Sequence, residues 1–572
     1  MRVLILGGYG VFGGRLARLL IQDNIHTMIA GRDYRKACAF TREFGGEPLL
    51  IDLGTDLSPI ANAEPDLVVD AAGPFQAYED DPYKVARLCV RHGINYLDFS
   101  DDADFTAGIV ELDREATAAG CFALSGVSSV PAISAAAAHA LSEGLSDILV
   151  IETAIVPGNR AARGRSVVAS ILRQAGVPLM LWRGGVWRVH RGWTGARTVS
   201  PGPDLKRRAS LIGAPDLKLF PSAFQARSVL FRAGLELDLM HRGLTALAFL
   251  RGLRLLPGLQ LFLGPILWMS RRLERFGTDR GGMVVELIGI AGGKAIRRTW
   301  RMIAEKGDGP FIPAVPALAI ARKMPAVSPG ARPCLHDLTL PEIEHAMAKL
   351  SVRFASSEAP APTLFEKSLG DKWRKLPDSL RRLHSVQDLE SFSGRAKVTR
   401  GTALLSRVAA FLFRFPEAGE DVPLTITKQR SARGEIWERN FAGRKFRSYL
   451  SPSRPSHYKE RFFAFTYEQE LPVEDGSLYL PVRRGWCLGI PLPALLLPRS
   501  ESREYDVNGI FHFDVGLYAP FGGGLIVRYQ GCVTPDCKSA SDDAVHKSIG
   551  CPVNAVDGKS KEVLWKRFPI LM

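Results

Sequence analysis

The opening residues, Met1-Arg-Val-Leu-Ile-Leu-Gly-Gly-Tyr-Gly-Val-Phe-Gly-Gly14, set the first limit on the fold. Val3 to Leu6 is a short apolar run, suited to a strand buried on both faces of a parallel sheet. Gly8, Gly10 and Gly13 follow in the spacing G-x-G-x-x-G. Val11 to Leu20 then carries apolar residues at helical intervals, with Arg15 and Arg18 on the other side. Glycines so spaced between a strand and a helix mark a dinucleotide-binding turn. Gly8 would allow the tight turn, Gly10 the approach of a pyrophosphate, and Gly13 the close lie of helix on sheet. The unpaired N–H groups of the helix start would face the anion.

The second apolar run, Ile25 to Ala30, ends in Gly31-Arg32. An acidic side chain at this place would bind the ribose 2′-OH of NAD and repel a 2′-phosphate. Arg32 stands there instead, with Arg35 and Lys36 close behind, and a guanidinium matches a phosphate in charge and in fork geometry. This favours NADP over NAD; the alternative is that Arg32 merely opens a solvated helix, Asp33 to Phe44.

Further strands are expected at Pro48 to Leu53, with Asp52 at its end, and at Asp66 to Ala71, Asn95 to Phe99 and Cys121 to Ser125. Helices are expected near Tyr83 to His92 and Ala103 to Ala119. This alternation predicts a doubly wound parallel sheet, whose ligands sit beyond the C-terminal strand ends. Gly73-Pro74-Phe75, Asp98-Phe99-Ser100 and Gly126 to Pro131 fall at those ends.

Four of these stretches, Gly8-Tyr-Gly-Val-Phe-Gly13, Ala71-Ala-Gly-Pro-Phe75, Tyr96-Leu-Asp-Phe-Ser100 and Ser129-Val-Pro131, together resemble the saccharopine dehydrogenase-like reductases. The likeness covers residues 1–135 well and 136–350 more loosely. It implies an NADP-binding Rossmann domain, 1–135, and an α+β substrate domain, 136–355, inserted after the sixth strand. It also implies that the loop after the fourth strand borders the nicotinamide, and that the Gly-Asp-Gly-Pro turn at 307–310 brings the chain back toward the cofactor over 306–323. Expected cofactor contacts are Gly7, Gly8, Tyr9, Gly10, Val11, Phe12, Gly13, Gly31, Arg32, Asp52, Ala72, Gly73, Pro74 and Phe75. The activity implied is hydride transfer between nicotinamide and a small molecule. The chemistry is the cofactor's, and the protein supplies orientation and a proton donor. The donor is not fixed by sequence: Asp98, Ser100, His190 and Asp308 are candidates, each with an ordinary structural role as its alternative.

The net charge is +15, from 74 basic and 59 acidic residues. The basic residues are dispersed and no nucleic-acid-binding signature is present, so a nucleic-acid partner is not expected. Arg160, Arg163 and Arg165 around a glycine loop suit either an anionic substrate group or a solvated surface. Trp182, Trp187 and Trp193 among arginines read as a half-buried hairpin over the cleft. In the segment 244–270, the uncharged core Leu255 to Ser270 contains Pro257 and Pro265 and is too short and interrupted for a confident span. Its arginine borders suit an interfacial helical hairpin on an anionic membrane, a helical pair packed on the substrate domain, or a lipid-accepting groove. The substrate is accordingly open, an apolar or lipid-like molecule among the options. A non-catalytic NADP- or lipid-binding scaffold at a membrane surface is the other class.

Ser356 to Thr363 reads as a linker. Beyond it, 364–531 holds two helical stretches and then successive antiparallel strands with hairpin turns at Gly434, Asp475-Gly476 and Asn508-Gly509, which can curl into an open barrel over an apolar interior. This part resembles an uncharacterised domain often fused to saccharopine dehydrogenase-like proteins, and the resemblance implies no activity. In the tail, 532–572, which differs in composition and is expected to be an appendage, Cys532, Cys537, His546 and Cys551 lack close-paired zinc spacing, and no metal site is expected. No secretory segment is read before Val3, so a reducing cytoplasmic setting is expected, with attachment to the inner face of a membrane through 244–270 as the variant. A dimer is compatible with the sequence.

Overall fold

The computed structural model describes residues 1–536, excepting 74, 76–80, 162–164, 257 and 432. Three sheets organise it. The first is seven-stranded and parallel. Its strands β1 (Arg2–Leu6), β2 (His26–Gly31), β3 (Glu47–Leu50), β4 (Leu67–Asp70), β5 (Asn95–Asp98) and β6 (Phe122–Ser125) lie in the order β6-β5-β4-β1-β2-β3. β1 pairs with β2 on one side and with β4 on the other, so the strand order reverses at its C-terminal end, where such sheets hold their ligands. Val3 to Leu6 are inaccessible to solvent, and helix α1 (Gly13–Gln22) covers them with Leu16, Ala17, Leu19 and Leu20. Helix α2 (Tyr34–Phe44) starts on Asp33, whose carboxylate accepts from the Lys36 amide.

The predicted helix Ala103 to Ala119 is two helices, Ala103–Gly108 and Asp113–Ala119, joined by a 3₁₀ turn at Ile109–Leu112. A seventh strand, Gly330–Pro333, adds parallel to β6. The apolar helix Val315–Arg322 precedes it, with every residue from Val315 to Ala321 buried. The chain therefore rejoins the first domain and stays with it through the helix Leu340–Ala346, further than the return expected at 306–323. Phe311 lies under the guanidinium groups of Arg15 and Arg18 on α1, at 5.6 and 5.0 Å from its ring centroid.

The second sheet is mixed and carries a hairpin, Pro178–Arg183 with Val186–Arg191. The linker expected at Ser356 to Thr363 is a correction: Val352–Pro360 is an edge strand paired along its length with Lys294–Ala304. Its side chains beyond Phe354 are exposed, so no alternation of apolar and polar residues marks it, and backbone pairing alone orders it. The third sheet is antiparallel and thirteen-stranded. Its inner face curls round one cavity lined from both ends of the sheet, by Tyr467 and Val482 near one end and by Ser500 and Ser502 near the other. The tail expected from 532 starts later, because the last strand, Leu525–Pro535, includes Cys532; residues from 537 on, with Cys537, His546 and Cys551, lie outside the described residues.

The helix start depends on one close approach. A Cβ built on Gly13 would stand 2.4 Å from the Gly7 carbonyl oxygen. Gly13→Ala should therefore force the turn open, lowering stability by about 1–3 kcal/mol in chemical denaturation, whereas Gly243→Ala, inside the helix Asp238–Gly252 with open space around its Cβ, should not lower it.

Candidate nucleotide and substrate site

The turn after β1 differs from expectation in two respects. The left-handed residue is Gly7, at φ +71°, not Gly8. The Gly10 amide closes the turn on the Gly7 carbonyl at 2.8 Å, and α1 begins at Gly13 rather than Val11. The N–H groups of Val11, Phe12 and Gly13 have no hydrogen-bond partner among the described residues, and no side chain caps the helix. They form an unfilled donor set at a helix N-terminus, the arrangement that suits a phosphate.

Tyr9 forms one wall. Its hydroxyl accepts from the Asp33 amide at 3.0 Å, and its ring lies over Gly31, where a Cβ would stand 2.5 Å from that hydroxyl. Gly31 is thus required by Tyr9. Arg32, in the same loop, and Arg35, in the first turn of α2, are exposed. Asp33 is held below the usual carboxylate range by the Lys36 amide and its ammonium, 3.4 Å away. The charge left open beside the end of β2 is positive. Asp52 lies two residues past β3 and turns back on its own loop, accepting from the Gly54 amide at 3.0 Å. Ala71 and Ala72 press on Gly7, whose Cβ would be 2.9 Å from the Ala71 carbonyl oxygen. Gly73 sits beside the Phe75 ring, and that ring is buried against Phe105 with centroids 5.0 Å apart. Pro74 is outside the described residues.

At the end of β5, Asp98 is fully buried. Its Oδ1 accepts from the Ser100 and Gly126 amides and the Ser125 hydroxyl, each at 2.9 Å, tying together the loops after β5 and β6. Its Oδ2 has no hydrogen-bond partner among the described residues. Burial, opposed only in part by these donors, pushes its pKa up to about 7. Ser100 is also inaccessible, and its hydroxyl is shared by the Asp102 amide and the Thr106 hydroxyl, so it holds the loop rather than facing the cleft.

Beyond β5 a cleft of about 510 Å³ opens between the two domains. Asp101, Asp102 and Asp104 form the Rossmann side. Arg173, Met180, Trp187 and Lys218 form the other. Lys218 Nζ reaches Asp104 Oδ1 at 2.5 Å and closes one edge. Sequence reasoning missed this set; Asp101-Asp102, directly after a predicted strand, was the one available signal. The expected hairpin over the cleft is there, contributing Leu179, Met180 and Trp187.

Two candidates for the proton donor lie elsewhere. His190 is 3.5 Å from Arg183 Nη1, at the contact with the C-terminal domain where Arg183 Nε meets Asp388 Oδ2 at 2.8 Å; burial and Arg183 lower its pKa. Asp308 accepts from the Ser351 amide at 2.8 Å and serves the turn. Arg160 donates to the Arg275 carbonyl at 3.3 Å, and Arg163 is outside the described residues. No cluster of three or more metal-ligating side chains occurs among the described residues.

The parallel sheet thus belongs to a Rossmann-like domain that carries an inserted α+β domain. Residues 3–124 match the family described as saccharopine dehydrogenase NADP binding domain, and residues 376–532 match a domain of unknown function, DUF4166. No curated protein matches the chain. Similar solved structures include apo saccharopine dehydrogenase (L-Glu forming) from Saccharomyces cerevisiae. It is 14% identical with a TM-score of 0.45, over 62% of this chain and 99% of that one. Another is the WlbA dehydrogenase from Thermus thermophilus in complex with NAD and UDP-GlcNAcA, at 11% identity and a TM-score of 0.29, over 61% and 93%.

The raised Asp98 pKa makes stability depend on pH. Unfolded, the group ionises near 3.9; folded, near 7. Between those values the native state holds more protons, so its contribution is full below pH 4 and is lost as pH rises toward 7. Asp98→Asn should flatten that decline by up to ~4 kcal/mol in denaturation series from pH 4 to 8.

Proposed function

We propose that this protein is an NADP-dependent oxidoreductase whose substrate occupies the cleft beyond β5. The observation that carries the reading is the unfilled donor set of Val11, Phe12 and Gly13, together with the exposed arginines Arg32 and Arg35 just past β2. The match of residues 3–124 to an NADP-binding family supports it. Gly7 to Gly13 would hold the pyrophosphate, Arg32 the 2′-phosphate, and the backbone of Ala72 and Gly73 would border the nicotinamide. Bound there, NADP supplies or accepts the hydride. Asp98 is a positioning residue, fixing the loops from which Asp101 and Asp102 reach the cleft. The mixed charge of the cleft suits a substrate with both polar and apolar parts.

NADPH fluorescence should change on titration with the purified protein, and NADH should bind at least tenfold more weakly. Arg32→Asp should reverse that order. Unchanged NADPH affinity in the variant would show that the 2′-phosphate is held elsewhere, and no binding of either nucleotide would end the oxidoreductase reading.

A second reading concerns where the protein works. The segment 244–270 folds as the end of helix Asp238–Gly252, a 3₁₀ turn at Leu259–Phe262 and most of helix Leu263–Leu273. The last helix has no buried residue, and Phe249, Leu255, Leu261 and Trp268 are exposed. No helix of the described residues is long and apolar enough to cross a membrane. We infer that this face lies on an anionic lipid surface, where arginines such as Arg254 and Arg271 meet headgroups. Vesicles containing phosphatidylglycerol should pull down the protein, and Leu261→Ser with Trp268→Ser should cut the bound fraction several-fold. Equal sedimentation of the double variant would contradict it.

A further inference from the structure

The barrel of the C-terminal domain encloses a cavity of about 260 Å³, near the lower end of the range for ligand pockets. Most of its wall is aromatic or aliphatic, with Phe413, Trp437, Phe441, Phe462 and Phe513 among the larger side chains. A barrel that only had to pack would fill this space, since interiors reach crystal-like density.

The cavity also has a polar end. Arg439 Nη2 meets Glu460 Oε1 at 3.3 Å, Gln469 donates to Glu460 Oε2 at 2.7 Å, and the Tyr458 hydroxyl donates to Gln469 Oε1 at 2.8 Å. These groups satisfy one another. Two lining groups are left over. The Glu504 carboxylate has His384 Nε2 as its one hydrogen-bond partner among the described residues, at 2.7 Å on Oε2, which leaves Oε1 unused. The Tyr529 hydroxyl has no hydrogen-bond partner among the described residues. Glu504 is 5% exposed and Tyr529 7%.

Both side chains line the chamber, from two strands that flank the strand Ile510–Tyr518. Tyr529 pairs with Val515, which pairs with Ser502, and Glu504 lies two residues along from Ser502 on the same face. The carboxylate oxygen and the phenol face the open space of the chamber, where a polar group of a ligand can pair with them. Burial keeps the phenol protonated, with its pKa pushed up to about 12, so it is a donor. Glu504 Oε1 is an acceptor. An alcohol hydroxyl can accept from the phenol and donate to the carboxylate while carrying no charge.

Charge narrows the choice further. Behind the polar end lie Lys428, 1% exposed, and Glu435, 3.5 Å from it. With Arg439, Glu460 and Glu504, the buried set holds three carboxylates against two cations. Burial and Lys428 lower the His384 pKa, which leaves the excess negative. A carboxylate ligand would be repelled. The segments around the other end carry exposed Leu404, Phe411, Phe463 and Leu495, an apolar margin that an apolar molecule can cross.

We propose that the C-terminal domain is a binding site for an uncharged apolar alcohol, its hydroxyl placed between Glu504 and Tyr529 and its hydrocarbon part against the aromatic wall. This site is separate from the nucleotide cleft, and its test needs no nucleotide, so its failure would leave the oxidoreductase reading standing.

The test uses the full chain loaded with the uncharged dye Nile red and displaces it with 1-decanol, decanoate or decylamine at pH 7.5. Decanol should displace the dye at a concentration at least tenfold below that needed for the other two. Tyr529→Phe removes an unpaired buried hydroxyl, so the fold should be kept, with an unchanged melting temperature, while the decanol midpoint rises about tenfold, the loss of one hydrogen bond. Glu504→Gln should narrow the gap between decanol and decanoate. Failure of decanol to displace the dye, equal affinity for decanoate or decylamine, or a Tyr529→Phe variant that binds decanol normally would each overturn the proposal.

Discussion

The approach of the first helix to the first turn is the contact on which the site rests. At Gly13 the helix comes so near the Gly7 carbonyl that no side chain fits between them. That proximity aims the open N–H groups of Val11 to Gly13 at the space above the sheet. The Ala71 backbone presses on the same turn from β4, so the strand-order reversal and the donor set lie at one point. A bend only slightly wider would still allow the sheet, but the donors would diverge.

Around that point the polar residues divide into those that hold loops and those left open. Asp33, Asp52, Asp98, Ser100 and Asp308 are engaged by neighbouring amides or hydroxyls. Arg32 and Arg35 are the ones turned outward. The contact of the C-terminal domain with the mixed-sheet domain follows the same logic. Burial alone would raise the Asp388 carboxyl, and the Arg183 guanidinium more than offsets it. A pair so buried is costly to break because either partner alone would be a bare charge.

The Rossmann sheet was legible because its signals are local. Val3 to Leu6, the glycine spacing and Arg32 each act within a few residues of where they stand. The misses have a common cause, which is order imposed by a neighbour. Gly330–Pro333 has no strand pattern and becomes a strand by pairing with β6. Ser356 to Pro360 has the composition of a linker and is held by the backbone of Lys294–Ala304. Arg173 and Lys218 enter the cleft from separate helices, and no spacing in the sequence links them to Asp101 or to each other. His190 sits on the strand where it was expected, but its side chain meets Arg183 near a domain whose position the sequence did not reveal.

The most direct measurement is a structure determined with NADPH bound. This account predicts the pyrophosphate over the amides of Val11 to Gly13 and the 2′-phosphate against Arg32, with the nicotinamide opening on the cleft of Asp101, Trp187 and Lys218. A nucleotide seated away from the turn, or a turn whose amides stay empty at saturating NADPH, would contradict it.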